Sequence, residues 1–201
     1  MSQSAPVQAS ARMTVSEFLA AYEGVEGKYE LVEGVPVAMA GASLRHNRIV
    51  RNLISRIDER LRGGPCEVLP SDMGLLVSID TYRLPDLGIY CDPRDVRPAD
   101  INRQSLDFPK VLIEVLSRST QRSDYVVKLD EYQAIASVDT VVFVHNTRDA
   151  FTTFERVSNT EWRTVVHLPG QPLVLRDPAM TIPAAEIFAG TQLTEDAAEA
   201  S

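Results

Sequence analysis

Apolar residues change their spacing several times along the chain, and each change marks an element. Thr14 and Glu17 have the separation of a capping box, and Phe18, Leu19 and Tyr22 follow on one face, which predicts a short opening helix. Residues 28–33 and 35–40 read as two β-runs meeting at Glu33-Gly34, a hairpin signal. Over residues 43–62, Ile49, Leu53, Ile57 and Leu61 recur every fourth position, flanked by Val50 and Ile54. That spacing predicts an amphipathic helix, ended by Gly63-Gly64-Pro65. Strands are expected at 66–70, 73–79 and 84–90. A polar loop over 91–108 leads to a strongly apolar strand at 110–117. Residues 119–137 offer Ser and Thr as N-caps and read as a helix. A buried strand at 139–146, an alternating pair at 151–157 and 161–168, and an apolar turn at 184–189 complete the body. Strands, then a helix, then a strand again predict an α/β domain: a mixed β-sheet flanked by helices, with additional β-hairpins.

Composition narrows this picture without changing it. With 201 residues, the chain has room for one domain, expected over 13–190. Residues 1–12, rich in Ser, Ala and Gln, read as a disordered tail, and 191–201 as an acidic one carrying Glu195, Asp196 and Glu199. A hydrophobic share of 44% excludes wholesale disorder. No apolar run is long enough to span a membrane, and the start lacks the apolar core of a signal peptide, so a cytoplasmic protein is expected. The net charge of −8 argues against coating nucleic acid through bulk positive charge. Cys66 and Cys91 are too few for a four-cysteine zinc site and read as two reduced thiols. His46, His145 and His167 lack zinc-type spacing.

Two carboxylates stand where a simple core would not put them. Glu114 interrupts the apolar run over 111–116, and Asp86 interrupts 84–90. An ionised carboxylate buried in such a strand costs several kcal/mol unless it is paired or bound to a metal. If the two strands are neighbours, the carboxylates meet at one point and repel unless a cation lies between them. Oxygen ligation of that kind suits Mg²⁺ or Mn²⁺. Lys128 follows Asp124 by four residues on the helix after the Glu114 strand, so it lies near the strand's C-terminal end. Read singly, each feature also fits a strand-end turn, a strand edge or a solvated helix pair. The helix over 43–62 carries six arginines, of which Arg45, Arg56 and Arg60 share an edge beside the apolar stripe.

The order of these motifs resembles a branch of the PD-(D/E)XK nuclease superfamily, the bacterial restriction-endonuclease family abundant in cyanobacteria and actinobacteria. The resemblance rests on Tyr29-Glu30-Leu31-Val32-Glu33-Gly34, His46, Pro85-Asp86, Glu114-Val115-Leu116-Ser117, Ser119-Thr120, Asp124, Lys128 and Tyr132, and it covers most of the body. It implies a restriction-endonuclease-like fold and a Mg²⁺- or Mn²⁺-dependent phosphodiesterase site. Asp86, Glu114 and the backbone carbonyl of Val115 would be the metal ligands, with Glu30 as a further acidic ligand. Lys128 would be the catalytic lysine, moved to the helix from the strand position that Leu116 occupies here. His46 matches the family's position before the basic helix; with Arg45, Arg56 and Arg60 it would contact nucleic acid, the alternative for the arginines being a solvated amphipathic helix face, with DNA bound weakly or by guidance and a homodimer supplying two sites. The sequence departs from the pattern over 136–146, where a Tyr-Trp pair is missing and the strand ends in His145-Asn146. The alternative is a catalytically silent nuclease-fold domain used for protein or nucleic-acid association. A third reading is an unrelated α/β enzyme acting on another phosphorylated substrate.

Overall fold

The computed structural model describes residues 12–116 and 122–192, with side chains in the helix that begins at residue 122 described from residue 125 onward. Helix α1 (Val15–Tyr22) starts at Thr14 and Glu17, which cap each other reciprocally as the sequence predicts. Strands β1 (Tyr29–Val32) and β2 (Val35–Ala38) pair antiparallel through a two-residue turn. Both turn residues, Glu33 at φ 47° and Gly34 at φ 79°, have positive φ, the signature of a tight type I′ hairpin. Helix α2 (Leu44–Leu61) buries Ile49, Leu53, Ile57 and Leu61, the expected stripe, and Ser43 caps it by accepting a hydrogen bond from the His46 amide.

Strands β3 (Glu67–Pro70), β4 (Gly74–Ser78), β5 (Thr81–Arg83) and β6 (Leu87–Tyr90) follow. The single strand expected over 84–90 begins only at Leu87, and an unanticipated strand precedes it. Pro85 has no N–H to give a ladder, so pairing breaks there. The break lets the chain leave one sheet and enter another. The expected loop over 91–108 contains helix α3 (Pro93–Val96) and strand β7 (Ser105–Leu106). Then come β8 (Pro109–Leu116), α4 (Arg122–Ala134), β9 (Thr140–His145), β10 (Ala150–Arg156) and β11 (Trp162–His167). A hairpin of β12 (Leu173–Arg176) and β13 (Ala179–Ile182), followed by α5 (Ala184–Ile187), completes the described chain.

The strands form more than the single sheet expected. A six-stranded sheet runs β11-β10-β9-β8-β6-β3, a five-stranded one β2-β1-β5-β4-β7, and β12-β13 stands as a two-stranded ribbon. In the larger sheet β8 and β9 are parallel, joined by the α4 crossover, while the other pairings are antiparallel. One face of this sheet packs on the α2 stripe, the β12–β13 ribbon and α5. Its other face, with Leu112, Val141 and Phe143, packs on Tyr132 of α4 and Leu75 of β4. Helix α1 covers the smaller sheet through Phe18 against Leu31 and Tyr82. Cover on both faces explains why β8 reads as a continuous apolar run.

The two cysteines are not free thiols. Cys66 and Cys91 are joined in a disulfide, which corrects the expectation of reduced side chains. The reason lies in the register: Glu67 pairs with Tyr90, so the cysteines one step beyond the ladder stand opposite each other. The body also reaches slightly past its expected end. Thr191 is buried and its hydroxyl donates to the carbonyl of Phe188. The tails over 1–11 and 193–201 lie outside the described residues.

Candidate active site

The register of β6 against β8 assembles the centre. Leu87 pairs with Ile113 and Gly88 with Leu112, so the next step puts Asp86 opposite Glu114. The two carboxylates expected to meet are therefore cross-strand neighbours. Asp86 Oδ2 accepts a hydrogen bond from the Val115 amide at 2.7 Å, which fixes its rotamer. Asp86 Oδ1 lies 3.2 Å from His46 Nε2. Burial lowers the His46 pKa, but the Asp86 bond and charge outweigh it, and the imidazole is held above its ordinary value.

Glu114 is buried, and its Oε1 accepts from the Tyr132 hydroxyl at 2.6 Å and from Lys128 Nζ at 3.1 Å. Burial pushes its pKa up to about 7; Lys128 and Tyr132 oppose the rise, while Asp86 and Glu30 add to it. Lys128 is itself buried. Desolvation pulls its pKa down, but Glu114 and Glu30 outweigh that effect and keep the ammonium charged above its ordinary value. The side chain of Asp124 lies outside the described residues, as do Ser117, Ser119 and Thr120.

Glu30 belongs to the smaller sheet and reaches the same place from behind. Its Oε1 accepts from the Leu84 amide at 3.1 Å and from Lys128 at 3.4 Å, and its Oε2 accepts from Arg83 at 2.9 Å. Those bonds engage both oxygens with donors of this chain, and Glu30 orients the Lys128 ammonium from behind. Arg83 and Glu131 escaped the sequence reading. The Arg83 guanidinium is 2% exposed and forks onto Glu131 at 2.7 and 2.8 Å while also holding Glu30. One signal for Glu131 was available: it follows Lys128 by three residues, on the same helix face. Arg83 became visible only through the β1–β5 register, in which Leu31 pairs with Tyr82 and Glu30 therefore faces Arg83.

The expected basic edge of α2 is largely engaged within the chain. Arg45 donates to the Asn146 carbonyl and, at 2.6 Å, to Asp149. Arg60 binds the Thr181 carbonyl and Glu186, and Arg56 binds Glu59 and Glu186. These contacts tie α2 to β13 and α5. They also account for the arginine count by packing, which competes with the expected phosphate contacts.

The donor chemistry around Asp86 suits a hard divalent cation: two carboxylates face each other across β6 and β8, both oxygen ligands. Among the described residues no three His, Cys, Asp or Glu side chains gather closely enough to hold an ion. An ion held by Asp86, Glu114 and the Val115 carbonyl would therefore keep water at several positions, as Mg²⁺ characteristically does.

The fold is an α/β domain with mixed sheets flanked by helices. Residues 15–185 match the family model Uma2, described as "Putative restriction endonuclease", and the chain belongs to that family. An uncharacterized protein of Synechocystis sp. is 27% identical over 180 residues, covering 89% of this chain and 93% of its own. A second uncharacterized Synechocystis protein is 24% identical over 151 residues, covering 75% of this chain and 84% of its own. A crystal structure from Anabaena variabilis, titled a putative nuclease belonging to DUF820, superposes with a TM-score of 0.71. That match spans 90% of this chain and 99% of the other at 15% identity, which establishes a shared fold. No helix among the described residues is long and apolar enough to cross a membrane.

Proposed function

We propose that this chain is a Mg²⁺- or Mn²⁺-dependent endonuclease that hydrolyses phosphodiester bonds in DNA. One observation carries the reading. Asp86 and Glu114 face each other across β6 and β8, and the ammonium of Lys128 lies 3.1 Å from Glu114. A structural core gains nothing from a buried carboxylate facing a half-buried one; a cation site needs them. Asp86, Glu114 and the Val115 carbonyl would hold the ion. A bound divalent ion supplies charge screening at the scissile phosphate and makes a nearby water more acidic.

The chain's own groups do the rest. Lys128, kept charged by Glu114 and Glu30, stabilises the negative charge that builds on the phosphate oxygens. Glu30 and Tyr132 hold Lys128 and Glu114 in place, so little reorganisation accompanies the step. His46 fixes Asp86 from the α2 side. Arg56 and Arg60 lie about 15 and about 21 Å further along α2 than His46, far enough to meet flanking phosphates but not the scissile one. With a net charge of −8, affinity for DNA is weak or guided by a partner, and two copies act together on a duplex.

The test is incubation of supercoiled plasmid with the protein and Mg²⁺ or Mn²⁺, beside Glu114→Ala and Lys128→Ala. Cation-dependent nicking that is lost in both variants is expected. A wild-type protein that binds no divalent ion by calorimetry sinks the proposal.

A further inference from the structure

One buried polar group outside the proposed cation site lacks a partner. Asn146 follows β9 and is 9% exposed, yet its Oδ1 meets no donor among the described residues. Buried polar atoms are ordinarily hydrogen-bonded, so an orphan of this kind points to a ligand. The residue is firmly held. Its backbone amide donates to the Leu116 carbonyl at 3.3 Å, and its own carbonyl accepts from Arg45 Nε at 2.5 Å. Those bonds set the side chain against the N-terminus of the 18-residue helix α2, where Nδ2 lies 3.4 Å from Oγ of the N-cap Ser43. The amides of Leu44 and Arg45, the first two helical residues, have no acceptor within a helix and none among the described residues. The Leu44 side chain is exposed, so this end of α2 opens to solvent.

The Asn146 amide is better satisfied when turned about Cβ–Cγ. As it stands, Ser43 Oγ accepts from both the His46 amide and Asn146 Nδ2, and Oδ1 is left over. The two ends of an amide have nearly the same shape. With them exchanged, the Ser43 hydroxyl donates to Oδ1 while still accepting from His46, and an NH₂ group is left for a ligand. The end of α2 then offers three donors: that NH₂ and the amides of Leu44 and Arg45. A helix N-terminus with free amides attracts negative charge. The nearest carboxylate bonded to these residues, Asp149, is neutralised by the Arg45 guanidinium at 2.6 Å.

We infer that the N-terminus of α2 and the Asn146 side chain together bind a backbone phosphate of the nucleic acid, close to the scissile one. The inference rests on the nuclease reading proposed above and supplies it with a substrate subsite. The placement suits that role. His46, the third residue of α2, reaches Asp86 at 3.2 Å, and Leu44 lies only about 3 Å before it along the helix axis. The donors are peptide and amide groups, so they need no net positive charge and agree with a chain of net charge −8. They also fill a need that Arg45, Arg56 and Arg60 leave open, since those guanidinium groups are bonded to Asp149, Glu59 and Glu186. Contacts to phosphate alone fix the register of the strand without reading its sequence.

Nitrogen–proton correlation spectra of the full chain in chelator test this, with inorganic phosphate, chloride and a short DNA duplex as separate titrants. Phosphate should shift the Leu44 and Arg45 amides and the Asn146 NH₂ saturably, and chloride at matched ionic strength should not. The duplex should shift the same three signals at lower concentration. Asn146→Ala should weaken phosphate binding by roughly tenfold, the worth of one hydrogen bond to a charged group, and raise KM for plasmid more than it lowers kcat. Asn146→Asp sets a carboxylate beside the anion and should abolish the response. The wild-type spectra need no variant, so misfolding of either one does not blunt the test. Three results overturn the inference: no shift with phosphate, an equal shift with chloride, or a shift with phosphate that the duplex does not reproduce. The first two mean that water alone satisfies Asn146, and the third leaves a site for free phosphate only. If the signals stay still while the wild type nicks plasmid with a divalent ion, this inference fails and the proposed function stands. If the wild type binds no divalent ion but the duplex shifts all three signals, the endonuclease reading fails and the phosphate subsite stands.

Discussion

Glu114→Gln isolates the energetic cost of the buried carboxylate. The folded chain raises the Glu114 pKa from 4.5 to about 7. Between those values the folded protein holds a proton that the unfolded chain has released. By linkage, stability then falls as pH rises: the contribution is complete below 4.5 and gone above about 7. This direction is opposite to that of a salt-bridged carboxylate with a lowered pKa. Each pH unit is worth about 1.4 kcal/mol, so the whole interval amounts to roughly 3 kcal/mol. Lys128 stays protonated in both folded and unfolded chains throughout this window, so it adds no slope of its own. The amide of Gln keeps the shape and an acceptor for Tyr132 but cannot ionise. Urea unfolding in chelator, followed by the fluorescence of Trp162, gives stability against pH for both proteins. Trp162 is the chain's one tryptophan and packs under the Arg156 guanidinium, which makes it a local reporter of tertiary structure. The variant should gain on the wild type by about 3 kcal/mol between pH 4.5 and 7, then hold that lead. Parallel curves would refute the reasoning, because they would mean that Glu114 titrates as if exposed.

Two further changes test the surrounding structure. Arg83→Met leaves half-buried Glu131 without its cation and buried Glu30 with Lys128 alone, and should cost about 3 kcal/mol in the same urea assay, whereas an exposed pair would cost under about 1 kcal/mol. Cys66→Ser opens a loop of 25 residues and should lower stability by about 3 kcal/mol on the chain-entropy account, with thiol titration finding none free in the denatured wild type until a reductant is added.

Local patterns carried most of the fold because they are set by neighbours in the chain. The α2 stripe, the Thr14–Glu17 box and the Glu33-Gly34 turn each depend on residues within a few positions. The buried anomaly of Glu114 was legible for the same reason: six successive residues reveal its surroundings. Its company was only partly so. That Asp86 faces Glu114 depends on a pairing between strands more than twenty residues apart, which a periodic pattern does not contain. Arg83 was hidden entirely, since an arginine between Tyr82 and Leu84 gives no local sign of being buried between two acids. The division into two sheets was missed because 84–90 is apolar throughout, and only the absent amide of Pro85 betrays the break. The disulfide was missed because two cysteines 25 residues apart carry no spacing rule, while the β3–β6 ladder brings them level.

The passage from Arg83 to Asp86 has one more consequence. Within four residues the backbone steps from one layer to the other, leaving the guanidinium anchored in the first and the carboxylate in the second. The ion-pair cluster is therefore a weld between two layers that also meet through Leu75 of β4 against Leu112, Val141 and Phe143. Slippage of one layer over the other would disturb the charged cluster and this shared interior together. Transplanting the pocket onto another scaffold would require carrying both layers and the proline step between them.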